Sequence, residues 1–256
     1  MTTFEINGFQ ANVLELPQCG STNDAAFDAL QDAPLAAVWT THQEQGRGSR
    51  GRLWQTPRGC GLAFSLGLGH GSAPPPNAFL YPLFAGVIWH QTLSLLGMDS
   101  DLTLKWPNDV LWQGRKLSGI LCESRWRSSH VHTVLGIGTN LHPHPALREL
   151  PYPVACLSES QVEVKPATLV EAALEQFRTG FEKYSQAPAL LEAWMERAWI
   201  KPGQAVWVKA EGSELEGRFH GISSEGALCI KTQSGSVHSV SPTCTDFRVK
   251  PFPAAP

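Results

Sequence analysis

The chain has no long apolar run and no excess of basic charge. Its most apolar stretch, Phe79 to Leu96, is broken by Pro82, Gly86, His90, Gln91 and Thr92, too polar for a membrane span and suited to a mostly buried helix. Lys and Arg total 20 against 23 Asp and Glu, giving a formal net charge of −3 and a pI of ≈ 6.3. A general affinity for nucleic acid or anionic membrane needs a basic face over a whole domain, so any polyanion site here has to be local. Between Met1 and Gly20 no basic segment precedes a long apolar one, so no secretory signal is visible and the cytosol is the expected location. The 6 cysteines, at 19, 60, 122, 156, 229 and 244, include no C-x-x-C pair, which argues against a zinc knuckle and a compact disulfide framework. His130-x-His132 and His142-x-His144 lack a third ligand at a recognised spacing, so no metal site is expected.

A hydrophobic content of 42% over 256 residues suffices for one larger domain with a small one attached. Its positive charge is concentrated at Gly46-Arg47-Gly48-Ser49-Arg50-Gly51-Arg52, followed by Leu53-Trp54 and closed by Pro57-Arg58-Gly59. Glycines let a backbone turn tightly and approach an anion, and arginines supply charge in a planar fork. A phosphate-binding loop, a solvated surface loop and an RNA-binding arginine segment all fit that composition.

Asn12–Leu16 alternates like a strand, and Ser21-Thr22-Asn23-Asp24 offers N-cap chemistry to a helix carrying Ala25, Ala26, Phe27 and Leu30. Ala36–Thr41 and Gly61–Leu68 read as strands on either side of the Gly/Arg loop. His70–Asn77 reads as a connection, with Asn77 capping the buried helix and Gly97 stopping it. Strands are predicted at 102–105, 110–112, 116–123 and 131–141, with a tight turn at Gln113-Gly114. Thr168-x-x-Glu171 reads as a capping box opening a helix, and Pro188 opens a shorter one. Beyond Pro202, strands at 205–210, 214–222, 227–232 and 237–240 alternate with Glu-Gly-Ser, Ser-Glu-Gly and Gln-Ser-Gly turns, and the Pro-Ala tail is expected to fray.

Three further segments accompany the loop in a fixed order: Ser21-Thr22-Asn23, then Lys105-Trp106-Pro107-Asn108-Asp109 with Lys116-Leu117-Ser118-Gly119, then Gly136-Ile137-Gly138-Thr139-Asn140. In this combination the chain resembles the biotin protein ligase family. The resemblance implies an α/β (α+β) fold, with a mixed-sheet catalytic domain related to biotin and lipoate ligases over 10–199 and a small SH3-like β-barrel over 200–252. It also implies that biotin and ATP, with Mg2+, form biotinyl-5′-adenylate, whose biotinyl group passes to a lysine of a biotin carboxyl carrier protein. A lipoate or octanoate transferase on the same fold and a non-catalytic RNA-binding module are the alternative readings.

By position, Lys116 matches the family's catalytic lysine, with Arg47, Arg52 and Lys105 as further cations for the phosphates. Ser21, Thr22, Asn23 and Gln43 match the corner that holds the ureido ring, although Ser21 and Thr22 also suit plain helix capping. Gly46, Arg47, Gly48, Ser49, Lys116, Gly119, Leu121, Gly136 and Gly138 match the rest of the biotin cleft. Arg50, Arg52, Trp54, Asp109 and Asn140 match the nucleotide side, with core packing open for Trp54 and a turn role open for Asp109. Ser49 stands where the family often has arginine, so the loop is expected to close less tightly unless Arg50 substitutes. A helix-turn-helix domain found in some relatives has no room before Ser21, and a repressor role is not expected.

Overall fold

The computed structural model describes residues 3–31, 33–98, 101–210, 213–242 and 248–251. Glu211-Gly212 of one expected turn, Cys244 and the Pro-Ala tail lie outside the described residues. The larger sheet comprises β1 (Thr3–Ile6), β2 (Phe9–Glu15), β3 (Leu35–Thr40), β4 (Gly61–Gly69), β5 (Leu102–Lys105), β6 (Asp109–Trp112), β7 (Arg115–Arg127) and β8 (His130–Asn140). Its order is β1-β2-β3-β4-β8-β7-β6-β5. β2 and β3 run parallel, joined through α1 (Thr22–Ala29), and every other neighbouring pair is antiparallel.

Side chains alternate across a strand, so each strand feeds two faces. Leu62, Phe64, Leu66, Ile120, Leu135 and Ile137 point into the main core, where α2 (Tyr81–Leu95) and α4 (Pro166–Lys183) cover the sheet. Ala36, Val38 and Val134 point the other way and meet Ala26, Phe27 and Leu30 of α1. α1 is short, so much of that second face, at Ala63, Ser65, Gly119, Leu121, Gly136 and Gly138, is left for other use. α3 (Pro145–Arg148) and α5 (Ala187–Glu196) complete the helices. The second sheet contains β9 (Ala205–Ala210), β10 (Ser213–Ile222), β11 (Leu228–Lys231), β12 (Val237–Val240) and β13 (Arg248–Pro251), all antiparallel in the order β12-β11-β10-β9-β13. It packs against α5 and the start of α2, and the buried Trp106 indole, from the turn after β5, donates to Gly226 O at 2.8 Å.

The predicted mixed fold, with a small β-unit after a larger one, is the fold observed. Several local expectations change. An N-terminal hairpin, β1–β2, turns at Asn7-Gly8, whose φ values of 53° and 80° fit a two-residue turn. Gln113-Gly114, with φ of 51° and 70°, makes the expected turn between β6 and β7. Asn77 makes no side-chain cap; a 3-10 turn, Ala78–Leu80, precedes α2, and Asn77 contributes its carbonyl to Leu80 N at 2.9 Å. α4 begins at Pro166, ahead of the Thr168 box, because proline suits the first helical position. Trp106–Asn108 forms the β5–β6 turn, and the Trp106–Pro107 peptide is cis.

Phe177 ties α4 to the sheet and to α2, with ring centroids 6.2 Å from Phe64 and 5.8 Å from Phe84, and it is fully buried. Phe177→Ala is expected to lower unfolding free energy by about 3–5 kcal/mol through lost contacts and the cavity left behind. Urea titration checks this: the midpoint falls while the slope stays the same.

Candidate active site

The second face of β4, β7 and β8 supplies the floor of a cleft, and the absence of side chains there decides what can lie on it. A Cβ at Gly136 would run into the Asn23 amide, and one at Gly138 into the Trp54 indole. A Cβ at Gly119 would stand 2.9 Å from the Trp54 ring and 3.2 Å from Lys116 Cε. α1 and the Trp54 side chain can therefore sit directly against the strand backbones.

At one end of the cleft the start of α1 forms a polar corner. Gln43 Oε1 accepts from Thr22 N at 2.9 Å and from Thr22 Oγ1 at 3.2 Å. Ser65 Oγ lies 2.8 Å from Thr22 Oγ1 and donates to Asn23 Oδ1 at 2.7 Å. Asn23 Nδ2 donates to Glu123 Oε2 at 2.7 Å and to Leu121 O at 3.3 Å. Thr22, Asn23, Gln43 and Ser65 are all buried, so these bonds fix groups that have lost their water. Ser21 occupies the N-cap position, yet its side chain makes no capping bond. Of the two roles open to Ser21, side-chain capping is not the one observed.

The Gly/Arg segment folds back as a short ribbon. Gly48 N donates to Arg52 O at 2.7 Å, Trp54 N to Gly46 O at 2.9 Å, and Arg50 and Gly51 take φ of 63° and 70° at its tip. Those two N–H groups are committed within the loop. Arg47 grips Asp24 of α1 with both terminal nitrogens, at 2.7 and 2.9 Å, and reaches Glu123 Oε2 at 3.1 Å. Arg125 adds a second cation to Asp24 at 2.6 Å. The Arg47 hydrogen bonds hold the Asp24 carboxyl below the usual carboxylate range, against the opposing effect of desolvation and with help from Arg125. Arg52 lines the cleft at its exposed rim and, among the described residues, has no ion-pair partner.

Lys116 reaches the floor because of a β-bulge. The β6–β7 register passes from Val110↔Ser118 to Leu111↔Lys116, skipping Leu117, which goes into the main core while Lys116 turns beside Gly119. Its Nζ lies 2.6 Å from Asp109 Oδ1, 5.5 Å from the centroid of Trp54 and 5.4 Å from that of Tyr152. The side chains of the Lys116–Asp109 pair are 17% and 20% exposed, enough burial to make an uncompensated lysine costly. The indole Nε1 of Trp54 is buried without a partner among the described residues.

Most of the expected residues meet in this cleft: Ser21, Thr22, Asn23, Gln43, Arg47, Gly48, Ser49, Arg52, Trp54, Lys116, Gly119, Leu121, Gly136 and Gly138 all line it. Gly46 lies just behind, where a Cβ would strike the Trp54 carbonyl and Gln43 Nε2. Asp109 takes part through Lys116. Asn140 lines an adjoining small cavity with Trp54 and Tyr152 and donates to Lys116 O and Ala155 O, both at 3.2 Å. Arg50, at the tip of the loop, is not part of the lining, and Lys105 stands apart with its Nζ 5.6 Å from the centroid of Trp199. Sequence reading missed Tyr152, Asp24, Glu123 and Arg125. Glu123 and Arg125 follow Leu121 at two-residue steps on the same strand face, a usable signal; Tyr152, in Pro151-Tyr152-Pro153, gives none.

Residues 17–140 match the Biotin/lipoate A/B protein ligase family, and 203–241 match the Biotin protein ligase C terminal domain. The chain is 31% identical over 229 residues to the Biotin--[acetyl-CoA-carboxylase] ligase of Paracoccus denitrificans, covering 84% of this chain and 93% of that protein. It is 30% identical over 230 residues to the bifunctional ligase/repressor of Escherichia coli, covering 86% and 69%. In fold it matches the biotin protein ligase from Aquifex aeolicus in complex with biotin and ATP, with a TM-score of 0.75 at 23% identity over 94% of this chain and 99% of that one. The Leishmania major biotin protein ligase in complex with biotinyl-5-AMP gives 0.61 at 20% identity, over 90% and 98%. With a relative this similar over nearly its whole length, and a cleft assembled from the motifs that first suggested the likeness, the chain belongs to the biotin protein ligase family and is a ligase.

Proposed function

We propose that the protein joins biotin to ATP as biotinyl-5′-adenylate and transfers the biotinyl group to a lysine of a biotin carboxyl carrier protein in the cytosol. In the first step a biotin carboxylate oxygen attacks the α-phosphorus and pyrophosphate leaves. In the second, the lysine amine attacks the acyl carbon and AMP leaves. The reading assigns this chemistry to 10–199 and treats 200–252 as an appended β-module.

The observation that carries this reading is the position of Lys116, with its ammonium on a side-chain-free floor and the α1 polar corner and Arg52 lining the same cleft. Carboxylate and phosphate repel, so bringing them together needs a fixed cation between them. Lys116 fills that role, with Asp109 compensating its charge until the anions arrive. Arg52, at the rim, meets the phosphates that leave with Mg2+. The ureido ring, one carbonyl flanked by two N–H groups, is held by Ser21, Thr22, Asn23 and Gln43, and Gly119, Leu121, Gly136 and Gly138 give its flat body room. Trp54 and Tyr152 supply aromatic faces for adenine, beside Asn140.

Lys116→Gln is expected to leave the fold intact and slow adenylate formation by about two to three orders of magnitude, the effect of losing one electrostatic contact to the transition state. Pre-steady-state pyrophosphate release measures it, and a near-normal rate would remove Lys116 from the chemistry.

Because Ser21 does not cap α1 through its side chain, Ser21→Ala isolates ligand binding from helix stability. Biotin binding should weaken by about 1–3 kcal/mol, with ATP binding and thermal midpoint unchanged. Calorimetry with each ligand checks this; equal weakening of both would make the corner structural.

A further inference from the structure

The Gly/Arg loop contributes Arg47, Gly48, Ser49, Arg52, Leu53 and Trp54 to the cleft, so its position decides whether the cleft is covered. Apolar burial does little to hold its far side, since Leu53 is 74% exposed. The Gly48–Arg52 and Trp54–Gly46 backbone bonds close the ribbon on itself, and the Trp54 indole holds its end against Gly119 and Gly138. What fastens the other side of the ribbon to the body is the Arg47 fork. Two parallel charge-assisted bonds run to Asp24 on α1 and a third to Glu123 on β7. Asp24 is itself aimed: Arg125 donates to its Oδ1 at 2.6 Å while the Arg125 guanidinium rests 4.1 Å from the Phe27 ring centroid. Two cations and two carboxylates thus alternate from loop to helix to strand, and the bidentate geometry fixes direction as well as distance.

We propose that Asp24 is a positioning residue that latches the Gly/Arg loop over the cleft through Arg47, with Arg125 orienting the latch carboxylate. Arg47 then serves closure rather than the phosphates, which are left to Lys116 and Arg52. The latch controls how long a reactive acyl-adenylate stays covered, and this consequence rests on the function proposed above. The pair is partly exposed, 36% and 44% for the two side chains, so salt weakens the latch and the loop can still open for exchange.

The test uses the full chain in two arms. In the first, the ligand-free protein is treated with trypsin and cleavage after Arg50 and Arg52 is timed by mass spectrometry, with cleavage after Arg178 and Lys183 as the control for general unfolding. Asp24→Asn should accelerate loop cleavage by about tenfold, leave the control sites unchanged, and be largely rescued in Asp24→Glu. Equal loop cleavage in wild type and Asp24→Asn, or equal acceleration at all sites, overturns the latch. In the second arm, biotin, ATP and Mg2+ are added, and pyrophosphate formation and release of biotinyl-adenylate are followed separately. Asp24→Asn should form adenylate at close to the wild-type rate and release it about tenfold faster. Slower formation with unchanged release would overturn the latch and put Asp24 in the chemistry. Absence of pyrophosphate from the wild type would count against the proposed function alone, with the trypsin arm still deciding the latch.

Discussion

The site depends on a division of labour between the two faces of β4, β7 and β8. One face carries Leu62, Phe64, Leu66, Ile120, Leu135 and Ile137 and is buried under helices; the other carries Ala63, Ser65, Gly119, Gly136 and Gly138. Since alternate residues face opposite ways, one set of strands builds a dense core and, on its reverse, a surface nearly free of side chains. Gly136 lets Asn23 approach the strand backbone, and so fixes the start of α1. Gly119 and Gly138 let the Trp54 indole lie flat, and so fix the end of the Gly/Arg loop. The bulge at Leu117 brings a charged side chain, Lys116, beside Gly119 at one end of this face, while Glu123 and Arg125 stand at the other.

On that surface most cations are already compensated. Lys116 is matched by Asp109, and Arg47 by Asp24 and Glu123, so the folded cleft carries little unbalanced charge before any ligand enters. Leaving these groups half-buried and unpaired would cost stability. In the proposed reaction an incoming phosphate competes with Asp109 for Lys116, so the strength of that pair enters the rate. The Asp24 pair is different, because it joins separate elements and its carboxyl is held low by Arg47. A depressed carboxyl pKa stabilises the closed arrangement above the ordinary carboxylate range and loses that contribution as pH falls through the depressed value. The contribution of this pair is therefore fully present at neutral pH.

Much of this could be read from local sequence. The Gln113-Gly114 turn, the strands of the main sheet and the proline-opened α5 follow from local rules. Asn7-Gly8 carried an equally good hairpin signal ahead of the first predicted strand. The motif resemblance placed most cleft residues together, because glycines and short polar groups are confined to a few positions. The ion pairs were not legible: Arg125 and Asp24 are 101 residues apart, and which acid meets which arginine is set by α1 docking on the sheet. Nor was the bulge, since no residue at 116–118 announces a register skip. Tyr152 reaches Lys116 only because the 153–155 segment bonds to it, with Lys116 N donating to Pro153 O and Ala155 N to Lys116 O, both at 2.9 Å.

If the glycines of the floor make the ligand site, one methyl group added there disturbs binding. Gly138 lies in the middle of β8 in ordinary strand pairing with Ala63 and Gly119, so alanine there suits the backbone while its Cβ pushes the Trp54 indole off the floor. Titration calorimetry of Gly138→Ala with biotin, beside thermal unfolding of the same protein, is the direct measurement. Binding is expected to weaken by about tenfold or more, with overpacking against Trp54 lowering stability by no more than about 1–3 kcal/mol, so that the protein stays folded at the assay temperature. Wild-type biotin affinity in that variant would contradict it.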